Sequence, residues 1–114
     1  MSVVIYHNPR CSKSRQTLAL LEEQNIQPQV VKYLETPPSV EDLKTLMTQL
    51  EVTQVRDMMR TKEALYKELD LQAADDETLF KAMADNPKLI ERPIVVANGK
   101  ARHGRPPEQV LEIL

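Results

Sequence analysis

The chain has 114 residues, 41% of them hydrophobic and 28% charged, with a formal net charge of −2. That length and apolar share suit one globular domain over residues 1–114 with a compact core, and the missing basic excess argues against nucleic acid as a partner. No apolar run is long enough to cross a bilayer and Met1-Ser2-Val3-Val4-Ile5 carries no basic leader, so the expectation is a soluble cytoplasmic protein with no membrane partner. A single cysteine, Cys11, cannot close an internal disulfide, and the chain holds too few soft ligands for a zinc site.

In chain order, Val3-Val4-Ile5-Tyr6 reads as a strand stopped by Asn8-Pro9, and Gln29 to Leu34 as a second strand stopped by Thr36-Pro37-Pro38. A helix expected from about Ser14 to Gln24 lies between them and makes a parallel strand–helix–strand crossover. Ser39-Val40-Glu41-Asp42 fits a capping box, and Val40, Leu43, Leu46, Met47 and Leu50 follow at helical spacing. Val55, Met58 and Met59, then Leu65 and Leu69, then Leu79, Ala82 and Met83 predict further short helices up to Asn86-Pro87, with the methionines read as gap-filling core. Ile94 to Ala97 runs into Asn98-Gly99, a hairpin signal, and Lys100-Ala101-Arg102 pairs back. Val110, Leu111 and Leu114 then predict a closing helix after Pro106-Pro107. The order resembles an α/β thioredoxin-like fold: a four-stranded mixed sheet, with a helical insertion over about 39–86 between its βαβ and ββα halves.

Cys11 falls at the mouth of the first helix, where free backbone N–H groups and the helix dipole favour an anion. Arg10, Lys13 and Arg15 surround it with positive charge and His7 is close in sequence. Such surroundings lower a thiol from about 8.5 into the roughly 3.5–7.5 range of activated cysteines. Buried packing is the competing role for a free cysteine, but Arg10, Ser12, Lys13 and Ser14 are poor company for a core. A resolving cysteine three residues on is missing, because that position is Ser14, so a second thiol must come from another molecule. A phosphatase-type loop would need an arginine six residues after the cysteine, where Thr17 stands.

The segment YHNPRCSKSRQTL, residues 6–18, closely resembles the active-site segment of the glutaredoxin-coupled arsenate reductases, the ArsC family. The resemblance continues in order through YLETPPS, RDMMR, NPKLIERPIVV and GRPPEQVLEIL, over essentially the whole chain. It implies that Cys11 is the nucleophile toward arsenate and that His7 helps hold Cys11 as thiolate. It implies too that Arg60, Arg92 and Arg105 bind the oxyanion, and that Pro93 is a cis proline beside the cysteine. Ser14 and Arg15 are expected to support the loop. No tightly bound cofactor or metal is expected; glutathione is the implied co-substrate and glutaredoxin the implied partner.

Ser12 stands where some members carry glycine, and Arg10 where others carry a small residue; neither removes a functional group. The chain ends at Leu114 without the C-terminal tail of some members, which is expected to be dispensable for chemistry. His103, beside Arg105, is expected to be an exposed spectator. Two other functions stay open at this level: a thiol-dependent oxidoreductase acting on another substrate, and a regulator of the Spx type that binds RNA polymerase. The latter usually carries a Cys-x-x-Cys switch, which Ser14 interrupts.

Overall fold

The computed structural model describes residues 2–114; residue 1 lies outside them. Strand β1 (Val3–Tyr6) leads to helix α1 (Ser12–Glu23) and strand β2 (Gln29–Val31). Helices α2 (Val40–Leu50), α3 (Ala64–Glu68) and α4 (Asp76–Asp85) follow, with 3-10 turns at Val55–Met58, Leu71–Ala73 and Pro87–Leu89. Strands β3 (Ile94–Ala97) and β4 (Lys100–His103) and a 3-10 segment, Pro107–Ile113, complete the chain. The sheet order is β2-β1-β3-β4, with β1 and β2 parallel and the other neighbours antiparallel. This is the expected mixed four-stranded, thioredoxin-like sheet.

Alternation along the strands divides the core between the two sheet faces. Val3 and Ile5 of β1 and Val95 and Ala97 of β3 pack with Leu21 of α1 and with Val110 and Ile113. Tyr6, Ile94 and Val96 face the other way, onto α2, α4 and the turns between them. There Leu43, Leu79 and Met83 are fully buried, and Met58 and Met59 fill the seam as core residues. Arg56 ties the seam together: its guanidinium donates to the Tyr66 hydroxyl and to the carbonyls of Leu71, Gln72 and Ala74.

Local signals set several boundaries. Ser39 Oγ accepts from the Asp42 N–H while Asp42 Oδ2 accepts from the Ser39 N–H, the capping box that starts α2. Asn98 and Gly99 both have positive φ, 56° and 77°, as a two-residue hairpin turn requires. Three expectations are corrected. The second strand ends at Val31, because Glu35 and Thr36 donate their N–H groups back to the Lys32 carbonyl and close a turn. Leu69 lies outside α3 and is exposed. The closing segment is a 3-10 helix, whose three-residue period buries Pro107, Val110 and Ile113 and leaves Leu111 exposed.

Candidate active site

Four chain segments meet at the end of β1. The loop after β1 carries Cys11 to the N-cap position of α1, where its own N–H donates to the Asn8 carbonyl at 3.0 Å. Pairing of Tyr6 with Ile94 sets the start of β3, and with it the cis Arg92–Pro93 peptide, alongside this loop. Pairing of Ile94 with His103, extended by the Gly104 N–H donating to the Pro93 carbonyl at 3.0 Å, then brings Arg105 beside Arg92. A short bridge between Met59 and Ile90 closes the constellation: the Arg60 N–H donates to the Leu89 carbonyl at 2.7 Å and the Glu91 N–H to the Met58 carbonyl at 2.9 Å. Arg60 is thereby held next to the segment carrying Arg92. The Arg105–Pro106 peptide is also cis, which the sequence reading did not foresee.

Gly104 is required by this convergence. A Cβ there would run into the Thr17 side chain on α1 and come within 2.8 Å of the Pro93 ring. Thr17 is fully buried and its hydroxyl donates to the Lys13 carbonyl at 2.8 Å, so it has little room to yield. The close packing of α1, Pro93 and Gly104 brings Arg105 Nη2 to 3.8 Å from the Cys11 sulfur, across 94 positions of sequence.

Cys11 is a free thiol and nearly buried. Burial pushes it up. Opposing that are the Ser14 N–H, the Arg92 guanidinium, the Lys13 N–H and the Arg105 guanidinium, and the thiol rests below its ordinary value. The helix start and two of the implied arginines thus act on the sulfur together.

His7 engages the Cys11 loop through Ser14. Its Nδ1 lies 2.6 Å from Ser14 Oγ, which also accepts the Asn8 N–H at 3.0 Å. The hydroxyl proton is then available to Nδ1, the pairing of a neutral imidazole protonated on Nε2. Burial, followed by the charges of Lys32 and Arg15, lowers His7 below the ordinary histidine value, so it is neutral at pH 7. His7 therefore reaches Cys11 through Ser14, whose backbone N–H faces the thiolate. Arg15 donates to the Pro9 carbonyl at 3.0 Å and braces the same loop, while Arg10 points to solvent.

Arg60, Arg92 and Arg105 line one cavity of about 400 Å³, together with Met59, Glu63 and Glu91. Cys11 is not among its walls; Arg105 spans from the cavity to the sulfur. The guanidiniums are held by carboxylates and a carbonyl. Arg60 pairs with Glu63 at 3.2 Å, Arg92 Nη1 with Glu91 at 3.2 Å, and Arg105 Nε donates to the Arg92 carbonyl at 2.7 Å. Arg92 Nε is buried without a partner among the described residues. A second cavity, about 350 Å³, is lined by His7, Asn8, Pro9, Arg10 and Lys32.

Three residues belong to this neighbourhood that the sequence reading did not assign to it. Tyr33, just past β2, is buried; burial raises its hydroxyl, opposed by the Arg92 charge and by a hydrogen bond with the Asn8 side chain. It stands within YLETPPS, one of the segments that carry the resemblance, which was the available signal. Glu91 precedes Arg92 and Glu63 lies three residues after Arg60, and a carboxylate near an arginine in sequence gives no sign of a shared cavity. His103 is corrected: it is half-buried, and its Nε2 is shielded from solvent with no hydrogen-bond partner among the described residues. Burial lowers it, against the pull of Glu91 and with the push of Arg105.

A family model described as the ArsC family matches residues 6–113. The chain is 61% identical to an uncharacterized Escherichia coli (strain K12) protein, YfgD, over 98% of this chain and 96% of that one. It is 55% identical to an arsenate reductase of Haemophilus influenzae over 100% of both chains. Among solved structures, an arsenate reductase from Vibrio cholerae superposes with a TM-score of 0.98 at 72% identity, over 100% of this chain and 98% of that one. Among the described residues, no helix is long and apolar enough to cross a membrane.

Proposed function

The chain belongs to the ArsC family, and on that premise we propose that it is an arsenate reductase whose Cys11 thiolate attacks arsenic, with glutathione and glutaredoxin supplying the further thiols. The observation that carries this reading is the lowered Cys11 thiol with Arg105 Nη2 3.8 Å from its sulfur and Arg60, Arg92 and Arg105 lining one cavity.

Arsenate is largely a dianion near neutral pH, so an attacking thiolate meets like charge. Guanidiniums relieve that repulsion and stabilise the charge that builds on the oxygens in the transition state. Arginine suits the task better than lysine because its planar fork holds two oxygens at once. The sulfur forms a bond to arsenic as one arsenate oxygen leaves, protonated, as water. Glutathione then puts a second sulfur on the arsenic, displacing another oxygen as water. Thiolate attack on that sulfur by glutaredoxin leaves an electron pair on arsenic, which passes from pentavalent to trivalent; water then displaces the Cys11 sulfur from arsenic, freeing the thiolate and releasing arsenite. A second glutathione regenerates glutaredoxin, so that two glutathione thiols end as one disulfide. Ser14 stands where a resolving cysteine would, and its hydroxyl is engaged by His7 and by the Asn8 N–H; the resolving thiols are therefore borrowed. No tightly bound cofactor enters this scheme, and a soluble cytoplasmic setting supplies both thiol partners.

The test is arsenate turnover by purified protein with glutathione and glutaredoxin. The parent chain should turn over, omission of either thiol partner should stop it, and Cys11→Ser should abolish reduction yet still bind phosphate. A parent inactive with both partners present would refute the proposal, and RNA-polymerase capture by that same protein would favour the regulatory alternative.

A further inference from the structure

Glu91 is the feature of the cavity that the proposed mechanism leaves unused. Its Oε1 lies 3.2 Å from Arg92 Nη1, 3.3 Å from the Arg92 backbone nitrogen and 3.1 Å from Arg105 Nε. One carboxylate oxygen thus gathers one edge of two of the three guanidiniums. The other oxygen, Oε2, has no hydrogen-bond partner among the described residues, and Glu91 lines the cavity with 28% of its side chain exposed. Glu63 balances Arg60 in the same way, across the same cavity. The site is therefore not a plain well of positive charge: two carboxylates offset part of the charge of three guanidiniums and Lys62, and general attraction for any dianion is reduced.

A carboxylate accepts hydrogen bonds and donates none. An oxyanion entering among these arginines meets donors from the guanidiniums and two carboxylates; both oxygens of Glu63 are already paired, to Arg60 and Lys88, so the acceptor oxygen left open is Glu91 Oε2. Resting on the reading of this cavity as the oxyanion site, we propose that Glu91 is a specificity-determining residue that selects tetrahedral oxyanions still carrying a proton, hydrogenarsenate and hydrogenphosphate, and rejects fully deprotonated ones such as sulfate. The protonated oxygen of the first class donates to Glu91 while the remaining oxygens accept from the arginines. Sulfate has no proton to offer near pH 7, so one of its oxygens faces the carboxylate with charge against charge and an acceptor left unpaired. Leaving a polar group of the site unpaired is what makes hydrogen-bonding sites discriminate more sharply than apolar ones. Rejection by an opposed charge adds to it.

Calorimetric titration of the intact protein with phosphate and with sulfate at neutral pH tests this, since neither anion needs to react. The parent should bind phosphate at least about tenfold tighter than sulfate. Glu91→Gln, which keeps the shape and supplies both a donor and an acceptor, should bring the two affinities together, mainly by strengthening sulfate. Glu91→Ala should give the same loss of preference, so a folding defect in one variant does not decide the matter. Equal affinities in the parent, or an unchanged preference in both variants, overturn the proposal with the anion site intact. Binding of neither anion by the parent overturns the oxyanion-site reading and the proposal with it. A protein that prefers phosphate through Glu91 but reduces no arsenate keeps this assignment and loses only the proposed activity.

Discussion

Replacing Arg105 by alanine removes a guanidinium that reaches the nucleophile. At 3.8 Å from the sulfur, a unit charge interacts with a thiolate by 332/(ε × 3.8), from about 1 kcal/mol at ε of 80 to about 4 kcal/mol at ε of 20. The side chain is 34% exposed and its Nε also faces Glu91 at 3.1 Å, so screening sets the effect near the low end, about 1.4 kcal/mol. That corresponds to an approximately tenfold smaller thiolate population below the thiol's own pKa. Alkylation of Cys11 by iodoacetamide, followed against pH, should therefore show Arg105→Ala shifted to higher pH and slowed about tenfold on the rising limb. Arsenate turnover should fall further, because a guanidinium aimed at developing oxyanion charge contributes on the order of 2–4 kcal/mol in a sheltered site, roughly 30- to 1000-fold in kcat/KM. Arg105→Lys should recover most of the alkylation rate, which depends on charge, and only part of the turnover, which depends on the fork. If Arg105→Ala alkylated with the parent's pH profile and turned over arsenate at the parent's rate, neither the electrostatic account of Cys11 nor the assignment of Arg105 would stand.

Gly104→Ala should lower stability by about 1–3 kcal/mol in denaturant unfolding, because the added methyl meets Thr17 and Pro93; Thr17→Ala should restore only part, since the Pro93 contact remains. Equal stability of Gly104→Ala and parent would contradict the close approach. His7→Ala should slow alkylation of Cys11 less than Arg105→Ala does, since His7 is neutral and bonds Ser14 rather than the sulfur; a larger effect of His7→Ala would mean a direct role. His7 and His103 are both lowered in the folded chain, chiefly by burial. The unfolded chain thus takes up their protons first, and stability should begin to fall as pH drops below about 6.5. Thermal midpoints at roughly pH 7.5 and 5.5 should show that fall, and His103→Leu should reduce it; an unchanged pH dependence in His103→Leu would count against the buried, unpartnered imidazole.

Much of this protein was determined by short-range chemistry that the sequence displays directly. The capping pair Ser39 and Asp42, the positive-φ turn at Asn98-Gly99 and the alternation of Val3, Ile5, Val95 and Ala97 each depend on neighbours within a few residues, so the strands, the main helices and their order followed from pattern. The position of Cys11 at a helix start was legible for the same reason. The arginines were not: Arg60, Arg92 and Arg105 were picked out by resemblance alone, because nothing local distinguishes them from Arg56, which braces the Leu71–Ala74 turn, or from Arg102, which pairs with Glu51 and Glu112. Only the tertiary structure brings them together. The register of β1 against β3 and of β3 against β4 delivers Arg92 and Arg105 to the loop of Cys11, and the bridge of Met59 to Ile90 delivers Arg60. The same long-range pairings force glycine at position 104, shield Nε2 of the half-buried His103 and turn Glu91 into the cavity. A charge's environment is set by what packs across from it, and partners as far apart in the chain as Cys11 and Arg105 become neighbours only when the sheet is complete.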